Sequence, residues 1–316
     1  MKKFILYFIK LLLVPILIFG VNIAIDSHSS IKFNKILVKQ LNDLDSLTIN
    51  SNISDRQLVK SQILFSNNIK KSIVLGSSRS MLMGKPIGMN VSNFSMPGAV
   101  INDFFNVINL LEEKQNKIDT VYLEISPWIF NKNTGETRFK YWNENKIINK
   151  RKIKKLFSTK YFIENINPHK YSPVRNYNDF IRYSDGTIKY AYEYQNADNI
   201  SLIKKYEKNK EIYHLEGFNS LENLNKNQLK NLILKIKKSG ADIILIKHPY
   251  PPLINDKIIK RYPNIIKTDS IIKKLSIDLN LSILGSFYPE KLNIYNSDYY
   301  DGMHLTPRGL KKLIHH

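Results

Sequence analysis

Ser72-Ile73-Val74-Leu75-Gly76-Ser77-Ser78-Arg79-Ser80 is the stretch on which the fold turns. An apolar core, Ile73-Val74-Leu75, runs into a glycine, and three hydroxyls follow within four positions. A strand buried in a parallel sheet reads as a short continuous apolar run, because helices cover both of its faces. A tight turn at Gly76 leaves the next residues exposed at the C-terminal edge of such a sheet, where open α/β sheets hold their ligands. The segment therefore predicts the first strand of an α/β sheet with a serine nucleophile at its end.

The residues this serine would need stand at the far end of the chain, in Asp301-Gly302-Met303-His304. A carboxylate three residues before a histidine, on the loop entering a last helix, can hold the imidazole in one tautomer and stabilise it as a cation while it acts as a base. Either motif alone is common. Serine first and Asp-x-x-His last, at opposite ends of an α/β pattern, is much rarer.

Between them, strands and helices alternate. Val91 to Phe94 reads as a second strand, Thr120 to Ile125 as a third, Asp242 to Ile246 as a fourth and Leu281 to Leu284 as a fifth. Helical periodicity runs over Asn102 to Lys114, Asn227 to Lys238 and Ser270 to Leu279, and Thr306-Pro307 caps a final helix with proline at its first position. The expected architecture is a three-layer sandwich, a parallel five-stranded sheet between helices. The interval from about 130 to 217, rich in Tyr, Asn and Lys, does not fit the alternation and reads as an insertion forming a lid or subdomain over the strand ends.

On these residues the chain resembles the SGNH, or GDSL-type, hydrolase superfamily, whose fold is SGNH/flavodoxin-like. The resemblance covers roughly Ser72 to Trp128 and Ala241 to Leu310. It implies that the nucleophile is the serine two residues after the glycine, Ser78, with Ser77 as runner-up and Ser80 third. It further implies that His304 is the base, Asp301 orients it, and the backbone N–H groups of Ser78 and Gly98 hold the oxyanion. The superfamily's third block, Gly-x-Asn, is replaced here by Glu124-Ile125-Ser126-Pro127-Trp128, so the third oxyanion donor is missing. Losing one such donor typically costs about a hundredfold or more in rate. Gly-Ser-Ser in the first block and Ser-Pro-aromatic in the third are similar to the envelope branch, which includes teichoic-acid D-alanylation accessory proteins and alginate O-acetyltransferase-like proteins. That branch implies a serine acyltransferase or esterase acting on acyl esters of a cell-envelope polymer. The alternative it leaves open is a non-catalytic accessory or binding partner of a membrane-bound O-acyltransferase.

The N-terminus bears on the compartment. Met1-Lys2-Lys3 precedes an apolar run from Phe4 to Ile25, broken only by Lys10 and Asn22. About twenty such residues suffice to cross a bilayer, and lysines before the run favour an outward-facing body. We read residues 1–28 as a single-pass transmembrane anchor, with a cleaved signal peptide and a peripheral amphipathic helix as alternatives. This places the protein at the cell membrane with most of the chain extracytoplasmic. Residues 29–71 form a helical lead-in, in which Ser54-Asp55-Arg56-Gln57 reads as a capping box for a helix through Phe65. That lead-in is either a stalk or part of the outer layer of the 72–316 domain.

Composition narrows the partners. The formal charge of the 316-residue chain is +21, but its lysines are scattered, and no zinc-finger spacing, RNA-recognition signature or Arg-rich arm accompanies them, so nucleic acid is disfavoured. With no cysteine there is no disulfide or thiolate metal site. No metal or organic cofactor is expected, and His169, His214, His315 and His316 have no ligand spacing among themselves. Arg79, beside the nucleophile, and His248, after the fourth strand, are candidate substrate contacts. Glu124 ends a buried strand and calls for a partner such as Arg79, and Asp298 is a less well spaced substitute for Asp301.

Overall fold

The computed structural model describes residues 13–22, 34–48, 54–133, 142, 157–159, 162–163, 180–208, 215 and 217–315. Its centre is a five-stranded sheet in the order β3 (Ser92–Asn93), β2 (Ser72–Leu75), β4 (Thr120–Glu124), β7 (Asp242–Lys247), β8 (Ser282–Gly285), with every neighbouring pair parallel. This is the 2-1-3-4-5 order of flavodoxin-like sheets.

The apolar runs are continuous because both faces are covered. Ile73, Leu75, Val121, Leu123, Ile243 and Leu245 point to one side, where α3 (Ile101–Glu113), α6 (Asn223–Lys238) and α8 (Asn264–Asp278) bury Phe104, Leu111, Leu232, Ile236, Ile272 and Leu275 against them. Val74 and Ile246 point to the other side, against Met81, Met83 and the Leu310 and Leu313 of α9 (Pro307–Ile314). Burying side chains of this size contributes roughly 1.5–3 kcal/mol each, so the two cores dominate the stability of the body.

Strand ends differ by a residue or two from the expected bounds. One helix, α7 (Pro252–Arg261), was not anticipated, because Pro249 to Pro252 reads as a long turn. α2 (Asp55–Phe65) spans the expected helix, but the capping box is a correction: Ser54 makes no side-chain cap, and Asp55 is instead bonded by Arg182. At α9 the reading and the structure agree, with the Thr306 hydroxyl accepting the Gly309 N–H at 3.3 Å.

The lead-in packs on the body. Val59 and Ile63 of α2 belong to the main core, and α1 (Asn34–Leu44) buries Leu37 and Leu41 against Leu58. β1 (Ser46–Thr48) pairs antiparallel with β5 (Ile181–Tyr183), which pairs with β6 (Ile188–Lys189), so the lead-in and the insertion together build a second, three-stranded sheet. The turn between β5 and β6 presses Gly186 (φ +90°) on the Asn93 carbonyl, where an added Cβ would lie 2.1 Å from the oxygen. After it come α4 (Tyr192–Gln195) and α5 (Asn199–Lys208). Within the insertion, Ile153 to Ile163 has the spacing of a local helical run in the sequence, and of these residues only 157–159 and 162–163 are described.

At the N-terminus residues 13–22 are helical, with Leu13, Val14, Ile16 and Leu17 exposed. The rest of the apolar run lies outside the described residues. Among the described residues no helix is long and apolar enough to cross a membrane.

Candidate active site

β2 delivers Gly76 at its C-terminal end, and the chain turns there into a single 3₁₀ turn over Ser78–Ser80. Gly76 is required by space: a Cβ would fall 2.7 Å from both the Glu124 carboxylate and the Ser80 side chain. The next strand over, β3, continues as an extended segment that bonds across to the same edge, Met96 N–H donating to the Gly76 carbonyl at 2.9 Å. The loop before α9 meets this turn from the other side of the sheet.

These elements bring Ser78, His304 and Asp301 together. The Ser78 Oγ lies 2.9 Å from His304 Nε2, and His304 Nδ1 lies 2.9 Å from Asp301 Oδ2. The Asp301 Oδ1 accepts the backbone N–H groups of Met303 and His304 at 2.7 and 2.8 Å, which locks the carboxylate under the ring. Burial pushes the Asp301 carboxyl up, but the hydrogen bonds and charge of His304, with help from Tyr194, outweigh it and hold it at about 2. It is a carboxylate at any working pH. The His304 side chain stays 13 % exposed, enough for a substrate to reach its edge.

Ser77 and Ser80 face elsewhere. Ser77 Oγ donates to Glu124 at 2.8 Å and Ser80 Oγ donates to the same carboxylate at 2.7 Å. Of the three hydroxyls after Gly76, Ser78 has the one within hydrogen-bond distance of His304.

Gly98 (φ +57°) sits in the turn before α3. Its carbonyl and that of Pro97 are held by Arg56 of α2, whose guanidinium forks onto Asp103 at 2.8 and 2.9 Å. Trp142 Nε1 donates to the same carboxylate at 2.7 Å. No hydrogen bond within the described residues uses the N–H of Ser78 or of Gly98.

At the third block the Ser126 hydroxyl is also turned to Glu124. The anticipated pairing of Glu124 with Arg79 is therefore corrected. Glu124 is bonded by three hydroxyls and a backbone N–H, while the Arg79 guanidinium donates to the Pro249 carbonyl and lies over the Tyr250 ring, 4.8 Å from its centroid. The two charges act only through space. Arg79 and His248 are both 1 % exposed, packed behind the nucleophile turn and not opening on a cleft. His248 Nε2 lies 3.0 Å from Ser80 Oγ, and burial, against the pull of Glu124, pushes its ring down to about 3, so it is neutral. Asp298, the other carboxylate near the last helix, is occupied by Arg308, Lys312 and the Tyr295 N–H.

The insertion supplies residues that no motif announced. Tyr194 of α4 donates its hydroxyl to Asp301 Oδ2 and comes 3.4 Å from His304 Nδ1. Tyr206 of α5 reaches the same carboxylate oxygen at 3.4 Å. Tyr190 packs edge-on to the His304 ring, 6.1 Å between centroids. A tyrosine more than a hundred residues from the Ser77–Ser80 turn, in a region without periodic pattern, carries no local signal of such a role. Among the described residues no group of three or more His, Asp or Glu is arranged to hold a metal; His169, His214 and His316 lie outside them. Neither a protein-family model nor a curated protein matches the chain.

Proposed function

We propose that the protein is an SGNH-type serine acyltransferase or esterase that acts on acyl esters of a cell-envelope polymer. The observation that carries this reading is the contact of Ser78 Oγ with His304 Nε2 at 2.9 Å, with Asp301 on the opposite ring nitrogen. In the proposed reaction Ser78 Oγ attacks the acyl carbonyl as His304 Nε2 takes its proton. The oxyanion is met by the N–H groups of Ser78 and Gly98. His304 then returns the proton to the leaving alcohol, and a second hydroxyl, from water or from an acceptor, releases the acyl group by the reverse steps. The tyrosines of the insertion pack on Asp301 and on the Nδ1 side of His304; in this reading the insertion favours transfer by keeping water from the acyl-enzyme.

Membrane attachment belongs to the same proposal. The helical residues 13–22 present Leu13, Val14, Ile16 and Leu17 outward, which suits contact with lipid. A second reading, an accessory protein that binds polymer or docks a membrane-bound O-acyltransferase, is favoured by one observation: the third-block hydroxyl of Ser126 is spent on Glu124, leaving two oxyanion donors.

The test compares purified wild type with Ser78→Ala on small acetyl esters, and envelope acylation in cells carrying each. Loss of envelope acylation in Ser78→Ala supports transfer. Rapid ester release with unchanged envelope acylation supports a free esterase. If deletion of the protein alters acylation while Ser78→Ala does not, the accessory reading stands.

A further inference from the structure

The last side chain of β4 is a carboxylate in the interior, and it collects four donors. Glu124 is 1 % exposed. It accepts the Ser77 N–H at 2.7 Å, the Ser77 hydroxyl at 2.8 Å, the Ser80 hydroxyl at 2.7 Å and the Ser126 hydroxyl. A strand end in a parallel sheet is ordinarily apolar, and a buried charge is tolerated only when its lone pairs are filled. Three of the four donors come from the two residues that flank Ser78 closely, Ser77 before it and Ser80 after it, and the fourth is Ser126.

The direction of each bond follows from proton counting. A serine hydroxyl carries one proton, and Ser77 and Ser80 each give theirs to the carboxylate, since a carboxylate only accepts. Their oxygens must then accept from elsewhere. Ser77 Oγ takes the Arg79 N–H at 3.2 Å. Ser80 Oγ accepts a hydrogen bond from the His248 Nε2–H at 3.0 Å. His248 is thereby fixed as the Nε2–H tautomer, and its bare Nδ1, buried and without a partner in the described structure, agrees with that. On the far side of the turn Asn93 Nδ2 donates to the carbonyls of Ser80 and Met83 at 2.7 and 2.8 Å. The nucleophile turn is thus held at both ends, and only the Ser78 hydroxyl is left to point at His304.

We propose that Glu124 is a positioning residue for the nucleophile: it fixes the Ser77–Ser80 turn through two hydroxyls and one N–H, with His248 as the donor that orients Ser80. This rests on the reading of Ser78 as the nucleophile. It also gives the altered third block a use, since the strand-end position that lacks an oxyanion donor holds the turn from beneath.

A glutamine at 124 has the same shape but brings two N–H donors against donors, and so it breaks the set without opening a cavity. A misplacement of about 1 Å at a reacting atom costs on the order of a hundredfold in rate. We expect Glu124→Gln and Ser80→Ala to slow labelling of Ser78 by a small fluorophosphonate about a hundredfold. On p-nitrophenyl acetate they should lower kcat with KM unchanged. Ser80→Thr, which keeps a hydroxyl in place, should restore most of the rate. Melting curves identify any variant that fails to fold, and Ser80→Ala serves where Glu124→Gln does so.

A folded Glu124→Gln or Ser80→Ala protein that labels at the wild-type rate overturns the proposal. So does loss that Ser80→Thr does not recover. If wild type itself is not labelled, the nucleophile reading has failed, and the positioning claim is decided by ¹⁵N-histidine spectra. His248 should then show the Nε2–H tautomer, and Glu124→Gln should move the His304 Nε2 signal through its contact with Ser78. An unmoved His304 signal overturns the proposal in that case too.

Discussion

Three hydroxyls follow Gly76, and what separates them is where each proton goes. Ser77 and Ser80 spend theirs on a buried carboxylate, while Ser78 meets a histidine. Ser78→Ala should therefore abolish fluorophosphonate labelling while leaving the melting curve nearly unchanged. Ser77→Ala removes one of the two hydroxyls that hold the turn, so it should slow labelling without abolishing it and cost about 1–3 kcal/mol in urea titration, because Glu124 and the Arg79 N–H each lose a buried partner. Labelling that survives Ser78→Ala and vanishes in Ser77→Ala would move the nucleophile by one residue. From sequence the two serines were separable only through a family spacing. The physical distinction lies in Glu124, forty-odd residues away, whose side chain shows its direction only once β4 is laid beside β2 at the register Leu75 to Leu123. Tyr194 was harder still, since nothing in Tyr-Glu-Tyr-Gln marks which ring will meet Asp301.

At the scale of elements, the five strands and the last helix were legible because apolar runs and a Thr-Pro start are local signals with a local physical cause. The links between elements were not. Arg56 and Asp103 form an ion pair with side chains 3 % and 0 % exposed, joining α2 to the first turn of α3 and holding the Gly98 carbonyl. Removing one member of such a pair strands the other in the interior, at a cost of about 3–5 kcal/mol. Asp103→Ala should lower stability by that amount and loosen the Gly98 turn, and urea titration with hydrogen exchange at residues 96–100 would show both. A change under about 1 kcal/mol would mean that the pair is not formed in solution. Gly186→Ala tests the contact between the two sheets. Its positive φ and the 2.1 Å approach to the Asn93 carbonyl cannot both be kept by a residue with a Cβ. We expect a loss of about 2 kcal/mol or more, and an unchanged urea midpoint would place that turn away from Asn93.

For the whole molecule, the buried ionisable groups make stability pH-dependent in one direction. The His248 ring, ordinarily near 6.5, is pushed down to about 3 by burial. Between those values the unfolded chain binds a proton that the native state refuses, so stability falls as pH drops through that window. Asp301, held at about 2 from an ordinary 3.8, adds stability that is present above 3.8 and lost as pH falls toward 2. Glu124, also held below its ordinary value, has the same sign. Urea midpoints should decline steadily from pH 7 to pH 4, with a total on the order of a few kcal/mol, and the decline above pH 5 should shrink in His248→Phe. A midpoint that is flat from pH 7 to 4 would mean that His248 is not buried as a neutral ring.

The bridge from Arg56 to the Gly98 turn also sets where this chain can be cut. By strand count the sheet begins at Ser72, which looks like the natural start of an independent folding unit. Yet Val59 and Ile63 fill the main core from before that point, β1 supplies an edge partner to β5, and a cation on the buried Asp103, Arg56, arrives from α2. A shortened chain beginning at Ser72 keeps Ser78, Asp301 and His304 and loses the scaffold behind the Gly98 turn. One beginning at Asn34 discards the N-terminal apolar run and retains the described contacts that shape the site. We expect the piece that begins at Asn34 to unfold cooperatively in urea and the piece that begins at Ser72 not to, so that the length that folds and the length that contains the sheet differ.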